Sequence, residues 1–300
     1  MTIRNFYSQG GLEREEPLRR DPQWLDKIGD GEEVRVVAVW RYRNLVASLE
    51  NPTARYLDLQ EASVLIEQSA EPILLGRRGG AVYLSVDLSH HEEPPRLEGE
   101  FADLRQVGPV LERWEGSVLA YARGLAWWHA RHRFCGVCGH PTRMEMAGHQ
   151  RRCENPECGA SHFPRTDPAV IMLVHDGGDR CVLGRQAAWP EGRHSTLAGF
   201  VEPGESLEEA VAREVFEEVG IRVRDVTYHS SQPWPFPSSI MLGFHARADY
   251  GPLTVDPNEL ESAQWFERKA ILESPGDALF QLPREDSIAR QLILSWLEEA

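Results

Sequence analysis

Glu214, Glu217 and Glu218 are the residues of this 300-residue chain best placed to do chemistry. At spacings of i, i+3 and i+4 on a helix, their carboxylates converge on one face. Like charges so placed oppose the helix by about 0.2–0.5 kcal/mol per pair. Divalent cations are the natural compensation, because carboxylate oxygens suit Mg²⁺ and Mn²⁺. The plain alternative is a solvated acidic face. A second set is Cys135 and Cys138, followed at a distance by Cys153 and Cys158. Four thiolates in two close pairs suit a tetrahedral Zn²⁺ with no spare ligand position, hence a structural zinc ribbon. Gly139 and Gly159 follow the pairs, as knuckles with unusual backbone angles require. The second pair is the wider one, and disulfide pairing is the alternative. Cys181 stands apart in a strand-like run and fits a small buried apolar residue.

The elements that must position the glutamates can be read around them. Ser206 and Glu209 form a capping box, so a helix should start at Leu207. Leu207, Ala210, Val211, Val215 and Val219 give it one apolar face, and Gly220 stops it. Arg213 is cationic and cannot be a ligand; pairing with Glu205 would hold the preceding loop to the helix. Residues 169–174 are a continuous apolar run, as in a buried strand, pairing with 181–183 across a turn at 176–179. Strands are expected at 223–228 and 240–248, and helix-containing segments at 265–273 and 285–299. This order predicts an α/β domain with a mixed sheet and the glutamate helix packed on it.

Upstream, residues 1–30 read as a polar lead-in. Strand-like runs follow at 34–40, 55–59, 72–75 and 81–87, with Gly76, Gly79 and Gly80 in a turn. A helix is expected over 111–130, carrying Trp114, Val118, Tyr121, Leu125 and Trp128 at helical spacing. His129 and His132 lie at its end and are expected to cap or pack. Three divisions result: 1–130, a small α+β domain with a linking helix; 131–163, the ribbon; and 164–300, the α/β domain.

The formal charge of −15 argues against broad electrostatic binding of nucleic acid. An anionic substrate would need metal ions or a few arginines. Neither a signal peptide nor a run of 18 apolar residues is found, so the expectation is a cytoplasmic protein without a membrane span. Four of the five cysteines share one short window, which favours metal over a disulfide framework.

Gly199, Glu205, Arg213, Glu214, Val215, Glu217, Glu218, Gly220 and Ile221 together form a complete Nudix box, and the chain resembles the Nudix hydrolase family. Downstream, Gln232, Pro233, Trp234, Pro235, Phe236, Pro237, Ser238 and Ser239 make a second unusual segment. Its prolines fix the backbone and exclude helix and central strand, so Trp234 and Phe236 are held rigidly, as stacking on a planar base requires. The alternative is a surface loop whose aromatics pack on the core. With the box and the ribbon beside it, this segment resembles the signature of the NADH pyrophosphatase branch.

The resemblance implies an α/β/α sandwich and hydrolysis of NAD(H) to AMP and nicotinamide mononucleotide, extending to removal of NAD caps from RNA. It implies Mg²⁺ or Mn²⁺, more than one per site, on Glu214, Glu217, Glu218 and Glu259, with a backbone carbonyl from Ala198. The same carboxylates supply the base, Glu218 being favoured over Glu217. It implies dinucleotide contacts from Gln232 through Ser239, with Phe163 and Ala289 as further contacts, and a homodimer. Two alternatives are a Nudix hydrolase of another nucleoside diphosphate derivative, such as ADP-ribose, and a regulator that binds a nucleotide without cleaving it.

Overall fold

A computed structural model describes residues 5–28, 31–68, 71–274 and 280–299. The chain folds into two compact units. One joins Met1–Phe6, Asp167–Pro233 and Ser239–Ala300; the other joins Tyr7–Thr166 and Trp234–Ser238. Among the described residues no helix is long and apolar enough to cross a membrane.

The unit that contains the four paired cysteines begins with a short helix α1 (Glu16–Arg19) and strands β1 (Val34–Trp40), β2 (Arg43–Val46) and β3 (Tyr56–Leu57). Helix α2 (Leu59–Gln68), strands β4 (Ile73–Arg78), β5 (Ala81–Asp87) and β6 (Glu100–Ala102), and helices α3 (Leu104–Val107) and α4 (Arg113–Arg131) follow. Its sheet runs β4-β5-β1-β2-β6, with β3 also on β1. It is mixed, since β1 and β5 are parallel and the other pairs antiparallel. Val36, Ala38, Val82, Leu84 and Val86 lie in its core. The ribbon adds a separate antiparallel sheet of β7 (Thr142–Glu145), β8 (Gln150–Cys153) and β9 (Ser161–His162).

The first thirty residues are more than a lead-in. Asn5, Tyr7 and Trp24 are buried, and Glu13 bridges to Arg77 in β4. Single aromatics in a polar stretch carry no periodicity, so only tertiary contact reveals them. Helix α2 also goes beyond the expected strands. Asp58 and Glu61 exchange backbone-to-carboxylate hydrogen bonds of 2.8 and 3.0 Å, an unused start signal in the sequence. His129 packs as expected: it is buried, its Nε2 2.9 Å from the Gly148 carbonyl.

The unit that contains the glutamates is built on β10 (Asp167–His175), β11 (Arg180–Arg185), β12 (Leu197–Phe200), helix α5 (Leu207–Val219), β13 (Val223–Trp234), β14 (Ser239–Ala248) and β15 (Ser262–Glu267). Helices α6 (Arg268–Leu272) and α7 (Ile288–Glu298) complete it. The sheet order is β13-β14-β10-β11-β15, with β12 on β10. Strand β10 is parallel to β14 and antiparallel to β11 and β12. Val170, Met172 and Val174 face Ala210, Val211, Val215 and Val219 of α5 in one core. Ile171 and Leu173 face Ile288, Leu292, Ile293 and Trp296 of α7 in the other. Both faces of β10 are therefore covered, which explains its unbroken apolar run and gives the α/β/α sandwich.

Strand β13 continues beyond the expected 223–228 and carries Pro233. It lies at the edge of the sheet, where a residue without an N–H is tolerated. Strand β15 precedes α6 where only a helix-containing segment was expected; Ala263 and Trp265 pack on one core and Phe266 on the other.

Three histidines lie on adjacent strands β13, β14 and β10. The His229 and His245 rings are 5.1 Å apart, and those of His175 and His245 6.3 Å. Burial pushes all three imidazoles down, His229 to about 4 from 6.5, and repulsion from His245 adds to the fall at His175 and His229. The unfolded chain therefore binds more protons than the folded one between those pH values, so stability is lost as pH falls through that window. The thermal midpoint should drop from pH 6.5 towards pH 4, and His229→Gln should flatten the slope; a scanning-calorimetry pH series checks both.

Candidate active site

Helix α5 starts as the capping box dictates. The Glu209 N–H donates to Ser206 Oγ at 3.2 Å, and the Ser206 N–H donates to Glu209 Oε2 at 2.7 Å. It ends at Gly220, whose φ of 72° is the left-handed cap conformation. Just past that end, the N–H groups of Thr254 and Asp256 donate to the carbonyls of Val219 and Glu218 at 2.9 and 3.0 Å. The segment bearing Glu259 is thus fastened to the last turn of α5. Asp256 folds it further by accepting from Asn258 N and Nδ2, while Leu260 is buried in the core.

Glu214 and Glu218 are the inner pair, 8% and 5% exposed. Glu217 and Glu259 stand at the exposed rim. Glu214 reaches its place because residue 199 is glycine: a Cβ there would collide with the Glu214 carboxyl carbon and both its oxygens. Burial raises Glu218 to about 8, helped by the charges of Glu214 and Glu259 and opposed by a backbone hydrogen bond from Ala198. Burial likewise raises Glu214, against the Arg213 guanidinium beside it. Glu218 Oε2 is buried without a hydrogen-bond partner among the described residues. Among the described residues these glutamates do not close to within 4.8 Å of one another as the four cysteines do, but a buried carboxylate short of a partner and under the charge of two more suits a divalent cation.

Arg213 holds more than Glu205. Its Nε and Nη2 donate to Glu205 at 3.0 and 2.6 Å, its Nη1 to Glu214 and Glu217 at 2.8 and 2.9 Å, and its Nη2 to the Phe200 carbonyl at 2.9 Å. Glu205, held by Arg213 first and by the Glu202 backbone, falls to about 2. One guanidinium thus joins the loop, β12 and two box carboxylates. Phe200 follows the box glycine and is 61% exposed, a free aromatic face that the sequence reading passed over. Its position directly after Gly199 was the available signal.

The second segment is largely interior. Gln232 is 1% exposed; its Nε2 donates to the carbonyls of Asp286 (2.7 Å) and Phe6 (3.3 Å), and the Ile288 N–H donates to its Oε1 (2.8 Å). Pro235, Phe236 and Ser239 are buried, Pro233, Trp234 and Ser238 half-buried, and Pro237 exposed. Trp234 and Phe236 pack edge-on at 5.1 Å. The Arg105 and Arg123 guanidinium groups lie over Phe236 at 4.9 and 4.8 Å. Ala289 is buried in the α7 core, and Ala198 is half-buried in β12 opposite Ile171. Phe163 belongs to the other unit and is 62% exposed.

In that unit the ligand sulfurs of Cys135, Cys138, Cys153 and Cys158 lie within 4.8 Å of one another, and none is in a disulfide. The set fits one structural Zn²⁺. His162, absent from the sequence reading, places Nε2 3.3 Å from the Cys135 sulfur.

Family models place this architecture. A NUDIX domain matches residues 165–285, an NADH pyrophosphatase zinc ribbon domain 130–163, and an NADH pyrophosphatase-like rudimentary NUDIX domain 33–128. A relative from Mycobacterium bovis, NAD-capped RNA hydrolase NudC, is 46% identical over 211 residues, 67% of each chain. The chain is a Nudix hydrolase of the NADH pyrophosphatase branch. Human NAD-capped RNA hydrolase NUDT12 is 43% identical over 197 residues, covering 62% of this chain and 43% of that protein. A solved NUDIX hydrolase from Nitrosomonas europaea superposes with a TM-score of 0.45 at 22% identity, over 56% of this chain and 91% of that one.

Two outcomes follow for this Nudix hydrolase. Gly199→Ala should displace the Glu214 carboxylate and lower kcat by about 100-fold or more while the thermal midpoint stays near wild type, read by steady-state kinetics and calorimetry. Cys153→Ser should cut zinc from about one per chain to near none by elemental analysis and make the ribbon sensitive to protease.

Proposed function

We propose that this Nudix hydrolase cleaves the pyrophosphate bond of NAD(H), free or as the cap of an RNA, giving AMP or a 5′-monophosphate end and nicotinamide mononucleotide. The observation that carries the reading is the buried Glu214–Glu218 pair, with Glu218 Oε2 short of a hydrogen-bond partner among the described residues and under the charge of Glu259.

Glu214, Glu217, Glu218 and Glu259, with the Ala198 carbonyl, would hold Mg²⁺ or Mn²⁺. Such ions neutralise diphosphate oxygens and acidify water. The chain's own groups do the rest. Glu218, buried beside Glu214, takes the proton of the attacking water. Water oxygen bonds to phosphorus as the bridging P–O bond breaks, and the bridging oxygen leaves on the departing monophosphate. Arg213 keeps Glu214 and Glu217 oriented. Phe200, exposed beside the box, offers a stacking face for the planar base. The segment from Gln232 to Ser239 shapes the dinucleotide side, with Gln232 and Phe236 holding its form from within and Trp234 nearer the surface. Ala289, buried in α7, and Phe163, exposed in the other unit, are proposed as further contacts.

Residues 131–163 serve as scaffold and 164–300 as the catalytic part, in a cytoplasmic homodimer; light scattering of the purified protein tests the dimer. With NADH and Mg²⁺ or Mn²⁺, a product-resolved assay should show AMP, and Glu218→Gln should lower kcat by about 10²–10⁴-fold with the fold intact. Full turnover by that variant would overturn the assignment of the base.

A further inference from the structure

The prolines at 233, 235 and 237 have no N–H to give, so the second segment cannot be fixed by its own backbone donors alone. The N-terminus supplies others. Asn5 is 2% exposed, and its Nδ2 donates to Ser230 Oγ at 2.9 Å and to the Ser231 carbonyl at 2.8 Å. The next carbonyl, of Phe6, accepts from Gln232 Nε2, which also grips the Asp286 carbonyl just ahead of α7. In the other unit, the ring of Tyr7 meets Trp234 at 6.1 Å and Phe236 at 5.8 Å, both edge-on. Tyr7 is 2% exposed with φ of 66°, an uncommon conformation for a residue with a side chain. Gly108 admits it, since a Cβ there would collide with the Tyr7 hydroxyl. Three consecutive residues far away in sequence therefore contact Ser230, Ser231, Gln232, Trp234 and Phe236 in turn.

We propose that Asn5-Phe6-Tyr7 is a positioning strap for the dinucleotide-selecting segment, with Asn5 as its principal residue. It sets how well NADH is held and leaves the proton transfer at the box untouched. The inference rests on NADH being a substrate. Asn5 holds Ser230 and Ser231 of the selecting segment, so loss of the strap acts on affinity.

The test is steady-state kinetics of the full chain with NADH and Mn²⁺. Losing a buried donor of two bonds should raise KM about tenfold, while kcat stays within about twofold of wild type. Asn5→Asp, which keeps the shape and removes the donors, should match Asn5→Ala. Ser230→Ala removes one acceptor only, so it should raise KM by a smaller factor, and it serves if Asn5→Ala does not fold. An unchanged KM in a folded Asn5 variant overturns the strap, as does an equal fall in kcat at constant KM. Wild-type protein that releases no AMP from NADH overturns the proposed function instead.

Discussion

The box stands on one steric exchange: Gly199 gives up a side chain so that Glu214 can occupy its space. No glycine-specific backbone angle is involved; the collision with any Cβ is sufficient reason. The exchange drives a carboxylate into the protein against β12, where a charge is expensive. Glu218 is buried one turn further along, and burial raises its pKa for the same reason. The structure spends fold stability to hold two acids where water is scarce, which is the environment in which a bound cation or a transferred proton has the largest effect.

Arg213 makes the arrangement tolerable. Its guanidinium is shared by Glu205, Glu214, Glu217 and the Phe200 carbonyl, so the loop, the strand and the helix are fixed by one planar group. Opposite it, the backbone bonds from Thr254 and Asp256 to the end of α5 bring Glu259 to the same cluster without any charge pairing. Of the two inner acids, Glu214 is thus paired with a cation, while Glu218 feels only the negative charges of Glu214 and Glu259.

Much of this was legible because local chemistry and tertiary structure agree in the box. A capping box, an apolar face and a glycine stop are short-range signals, and β10 announced its double burial by an unbroken apolar run. The four cysteines were equally legible, since thiol spacing is itself the site. The N-terminus was not: Asn5 and Tyr7 find their partners more than two hundred residues away, and no periodicity marks single buried residues. Gln232 shows the remaining gap. A motif says that a residue matters, whereas only coordinates say whether it faces outward or, like Gln232, spends its amide on Phe6, Asp286 and Ile288.

The assignment of Trp234–Ser238 to the unit that holds the ribbon, and of Met1–Phe6 to the other, has a consequence for biosynthesis. Neither unit is a continuous stretch of chain. The ribbon-bearing unit, though nearly all of it leaves the ribosome first, lacks its last piece until residue 238 has been made. The Nudix unit likewise includes Asn5 and Phe6, far in sequence from its main stretch. A cut at residue 166 would therefore leave each product without a segment that its own unit includes.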